Sequence, residues 1–78
     1  MPTVFVINGF RFFFYSNENN EPIHIHIEKA EDSAKFWLNP VELEYNYGFS
    51  SGELRQIENI IQQNSETLIL KWNEYFNK

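Results

Sequence analysis

A chain of 78 residues has room for one small domain, residues 1–78, and its eleven acidic against six basic side chains leave a net charge of −5. The lack of cysteine excludes a disulfide framework and a thiolate metal site. The scatter of Arg11, Lys29, Lys35, Arg55, Lys71 and Lys78 disfavours stable nucleic-acid binding by this chain alone, which would need a basic face.

No apolar run approaches the roughly 20 residues of a membrane helix. Met1-Pro2-Thr3 also has neither the basic nor the apolar segment of a signal peptide, so no membrane contact and a cytoplasmic location are expected. So short a chain buries only about 60–65% of its unfolded surface. Eight Phe, four Tyr and two Trp offset that, being the side chains that bury most area.

Two β-prone runs, TVFVI (3–7) and FRFFFY (10–15), flank Asn8-Gly9. Asn-Gly is the strongest short hairpin signal, because a type I′ turn needs positive φ at both central residues. A two-residue loop pairs Ile7 with Phe10 and Phe5 with Phe12. It places Phe5, Ile7, Phe10, Phe12 and Phe14 on a core face, and Val4, Val6, Arg11, Phe13 and Tyr15 on the other. Residues 16–21 (SNENNE) read as a loop.

PIHIHIEK (22–29) follows, with Pro22 suited to a strand start. Strand side chains alternate, so Ile23, Ile25 and Ile27 form one apolar stripe, and His24, His26 and Glu28 stand on the opposite face. A four-residue turn at 30–33 would set Glu28 against Lys35 and His26 against Trp37. Asn39-Pro40 ends that strand, and VELEYNY (41–47) is a short edge strand or an extended connection.

Ser50-Ser51-Gly52-Glu53 is a capping box that opens a helix carrying Leu54, Ile57, Ile60 and Ile61. Asn64 closes it and Ser65 caps a second, with Leu68, Ile69, Trp72, Tyr75 and Phe76 as its apolar stripe; a kinked continuous helix is the rival reading. The expected fold is α+β: an antiparallel sheet of about four strands, in two hairpins, followed by two C-terminal helices packed on one face.

RFFFYSNE (11–18), PIHIHIEK (22–29), AKFWLNPVELEYNYGF (34–49), GELRQIE (52–58) and WNEYF (72–76) together resemble the bacterial and archaeal domain-of-unknown-function 4160 family. That family's His-x-His signature falls on His24 and His26; Ile23 stands where relatives commonly carry a second Pro. The resemblance brings no activity with it. It implies a neighbouring gene for a small protein of the domain-of-unknown-function 2442 type, in a pair that looks like a toxin–antitoxin module.

Three chemistries compete for the His24/His26 face. Two imidazoles about 6.6–7 Å apart along a strand, with Glu28, have the ligand types of a divalent-metal triad, although no cofactor is the preferred reading. Alternatively, His24 and His26 act as base and acid in a small hydrolase or ribonuclease, with Arg11 or Lys35 steadying the charged transition state. The third reading gives the histidines a structural place and makes Trp37, Phe13 and Tyr15 a partner-binding surface. The third is the expectation: a protein–protein interaction component of a toxin–antitoxin-like pair, with a small partner protein as its ligand and a homo-oligomer as the further option.

Overall fold

Asn8 and Gly9 both take positive φ, 55° and 82°, as the type I′ reading requires. They join the first two of five strands in the computed structural model, which describes residues 3–15 and 20–76. The strands are β1 (Thr3–Ile7), β2 (Phe10–Phe13), β3 (His24–Lys29), β4 (Asp32–Leu38) and β5 (Val41–Tyr47), and the helices α1 (Ser51–Gln63) and α2 (Ser65–Phe76) follow. Every neighbouring strand pair is antiparallel and the sheet order is β1-β2-β3-β4-β5, a plain meander with β1 and β5 at its edges. VELEYNY is thus a true strand, the fifth. Of the loop expected at 16–21, residues 16–19 lie outside the described part of the chain.

Both helices pack on one sheet face. Phe10, Phe12, Phe14, Ile25, Ile27, Ala34, Phe36 and Leu38 meet Ile57, Ile60, Ile61, Leu68 and Trp72 there. Removing each large aliphatic side chain from water contributes about 1.5–3 kcal/mol. Ile25 and Ile27 are fully buried, as their parity demands. Tyr75, expected in the apolar stripe of α2, is exposed and touches Phe76 edge-on.

Three details differ from the sequence reading. Register shifts between Thr3 and Phe5, so Val4 is an extra residue in β1. A bulge of this kind reverses local parity, and Val4 packs against the helix-side core instead of joining Arg11. The β3–β4 turn holds two residues, not four: Lys29 pairs with Asp32, His26 with Lys35 and His24 with Trp37. That two-residue displacement keeps every face and changes every neighbour. Ala30 sits at the turn with φ 56°, a conformation no composition signal at Ala-Glu announces.

Thirdly, Asn64 alone separates the helices. Its N–H donates to the carbonyls of Ile60 and Ile61, and its own carbonyl accepts from Leu68 N–H at 2.9 Å. Asn64 thereby starts α2, the role expected of Ser65. The entry to α1 is the capping box as read: Glu53 N–H donates to Ser50 Oγ at 3.1 Å and Ser50 N–H to Glu53 Oε1 at 3.0 Å.

Between β5 and α1, Asn46 bonds both the N–H and the carbonyl of Phe49, and Gly48 takes φ 104° inside that turn. A Cβ at Gly48 would overlap the Asp32 carboxylate. Gly48→Ala is therefore expected to cost about 1–3 kcal/mol, and Ser50→Ala about 1 kcal/mol through the lost cap. Urea unfolding of both variants measures the two losses, and an unchanged midpoint for Gly48→Ala would contradict the turn geometry.

Candidate functional site

The sheet face turned away from the helix pair has a packed layer of its own. Cross-strand pairing lines up Phe13, His26, Lys35 and Tyr45 in one row across β2–β5, and sets His24 beside Trp37 and Arg11 beside Glu28. The Phe13 ring stacks on His26 at 5.5 Å, and Tyr15 meets His26 edge-on at 4.6 Å. His24 lies edge-on to His26 at 5.2 Å and to Trp37 at 5.6 Å. At the start of β3, Trp72 of α2 also reaches the His24 ring, with centroids 4.9 Å apart. His24 thus joins this layer to the main core.

Two cations close the layer. The Arg11 guanidinium sits 4.1 Å from the Phe13 ring centroid, and Lys35 Nζ sits 4.6 Å from that of Trp37. Long basic side chains can cover apolar rings with their stems while keeping the charge near water. Arg11 also donates to Glu28 through Nε and Nη2, at 2.9 and 2.6 Å, and to Thr3 Oγ1 at 2.8 Å. Lys35 pairs with Glu21 at 2.8 Å, in place of the expected Glu28. The two-residue shift of register separates Lys35 from Glu28 and puts Ser33 opposite the latter.

Burial decides what the imidazoles can do. His24 is 0% and His26 5% exposed. Nδ1 of His24 lies 2.8 Å from the Pro22 carbonyl oxygen. A carbonyl only accepts, so Nδ1 carries the proton, and Nε2 faces the protein interior, out of contact with solvent. Proton transfer to a substrate needs that substrate within hydrogen-bond reach of the ring. Packed rings occupy the space around both histidines.

The structure brings His24, His26, Phe13, Tyr15 and Trp37 into one cluster with Arg11 at its rim, as the alternation of β2 and β3 implies. It does not gather His24, His26 and Glu28 as one ligand set. Arg11 holds the Glu28 carboxylate, and no group of three His, Asp or Glu suited to a metal occurs among the described residues. Phe13, expected on a partner-facing surface, is only 2% exposed beneath Arg11; Trp37 is half-buried and Tyr15 exposed.

Sequence reasoning missed two participants. Glu21 comes from the loop before β3, and its pairing with Lys35 depends on the true register. Glu44 accepts the Trp37 indole N–H at 2.9 Å because register shifts between Lys35 and Phe36, leaving Glu44 as an extra residue in β5. No local signal in VELEYNY marks that bulge.

Fold and site together define a small α+β domain, an antiparallel meander with a helix pair on one face and a histidine–aromatic layer on the other. The chain belongs to the family described as Domain of unknown function (DUF4160), whose model matches residues 9–73. No curated protein and no solved structure matches it.

With both rings buried, His24→Ala and His26→Ala are each expected to lower unfolding free energy by about 2–5 kcal/mol, the range for truncating a large buried side chain. Glu28→Gln, whose ion pair is half open to solvent, should change it by less than about 1 kcal/mol. Urea titrations compare the three; histidine variants with wild-type midpoints would remove the structural role from this layer.

Proposed function

We propose that this chain is a protein–protein interaction domain, the component of a toxin–antitoxin-like pair that binds a small partner protein through an edge of its sheet. One observation carries the reading: the five-stranded meander stays open, with β1 and β5 each paired on one side only among the described residues. The outer side of such a strand carries main-chain donors and acceptors that another chain's strand can complete.

The side chains at these edges support it. β1 has no charged residue and exposes Val6, and β5 exposes Leu43 and Tyr47. The burial of His24 and His26 favours a structural part for them over a reacting one. No helix among the described residues is long and apolar enough to cross a membrane. A cytoplasmic location belongs to the same proposal, as does a small partner of the kind the family resemblance implies.

The reading is tested by affinity purification of the full chain from its native host, alongside variants that carry a charge on either edge, Val6→Lys and Leu43→Lys. A stoichiometric partner is expected with the wild type and should be lost with one of the two variants. Recovery of the protein alone, monomeric by light scattering, would overturn the proposal.

A further inference from the structure

We infer that the β5 edge is the docking strand, and that it takes an extended segment of the partner in which basic and apolar residues alternate. This rests on the edge-binding reading above and names the chemistry of the occupant.

Successive side chains of a strand added alongside β5 would point to opposite faces, and the two faces of β5 differ. On the helix side, Leu43 lies opposite Phe36 and is 42% exposed. These two residues and Leu54 of α1 form the apolar part of an open groove of about 290 Å³ along the edge. Arg55 and Glu58 also line it, one charge of each sign, so the groove favours an apolar side chain without selecting a net charge.

On the other face stand Glu42, opposite Trp37, and Tyr45, opposite Lys35, with the bulged Glu44 beside them. Tyr47, 66% exposed, lies against Tyr45 with ring centroids 5.0 Å apart. Carboxylates near the exposed Tyr47 ring suit Lys or Arg, through ion pairing and cation–π contact.

The same acids select against the other obvious occupant. In a second copy of this chain paired antiparallel through β5 about Leu43, Glu42 of each chain would face Glu44 of the other, in a protein of net charge −5. Like charges facing each other across strands are destabilising. A basic strand removes the repulsion that a second copy would meet, which makes the edge discriminating. β1, with no charge, has no such preference.

The probe is a library of random nonapeptides displayed on phage and selected against the full chain. Enriched peptides should alternate Lys or Arg with aliphatic or aromatic residues. Binding of the best should fall roughly tenfold on Glu42→Lys, which reverses the charge of the open face, and on Leu43→Lys, which fills the groove. Both positions are exposed, and unchanged melting temperatures check that the variants fold.

Peptides that bind both variants undiminished but are lost on Val6→Lys overturn the assignment to β5 and leave edge binding standing through β1. Peptides without alternation, or a concentration-dependent dimer dissolved by Leu43→Lys, overturn the basic occupant. Enrichment of nothing, or of peptides insensitive to all three substitutions, overturns both this inference and the edge reading.

Discussion

The strict alternation of β3 is the constraint on which the rest of the molecule depends. A strand residue faces one side of its sheet or the other, and β3 is the central strand. Ile25 and Ile27 go to the helices, so His24 and His26 go to the other face, where Trp72 of α2 reaches only the His24 ring. Among the described residues no second layer of secondary structure covers that face. It is closed by side chains from the sheet itself, by rings that stack on the imidazoles and by two cations laid over rings. Imidazole suits this position because it packs as a flat ring and still donates to a backbone carbonyl, as His24 does to Pro22. A purely aliphatic pair would leave that carbonyl without its donor, and a charged pair would have to be stripped of water.

Irregularity in the sheet is confined to its outer strands, and each bulge there recruits one residue. Val4 is turned toward α2 and adds to the core, whereas Glu44 is turned toward the Trp37 indole N–H. Bulges bend a strand and interrupt its regular pairing, one of the ways a sheet limits uncontrolled growth at an edge. Of the two edges, only β5 also carries acids. Charge thus distinguishes the two edges, and the proposed selectivity of β5 rests on that difference.

The α1–α2 junction shows a similar economy of residues. Asn64 ends one helix and begins the next, bonding backward to Ile60 through its side-chain amide as well as its N–H. With one residue between them, α1 and α2 both pack on the same face of the sheet, and among the described residues β1 and β5 have no strand on their outer sides. The interaction reading depends on that coverage as much as on the strands.

Whatever is local in its physics was legible in the sequence. Asn8-Gly9 dictated the first hairpin, Ser50 with Glu53 dictated the start of α1, and the Ile-His alternation assigned both faces of β3 before any contact was known. The pairing of β3 with β4 was not legible, because a two-residue displacement preserves every face and so leaves the hydrophobic pattern unchanged. Only the turn at Ala30, whose positive φ the composition does not announce, selects between the two registers. Tertiary structure alone decided that Lys35 meets Glu21, that Arg11 pairs with Glu28, that Phe13 is buried, and that Val41–Tyr47 joins the sheet as its fifth strand. Each of these turns on which residues stand opposite one another across strands. That is settled by the turn at Ala30 and by the bulges of the outer strands, none of which the alternation within a strand reveals.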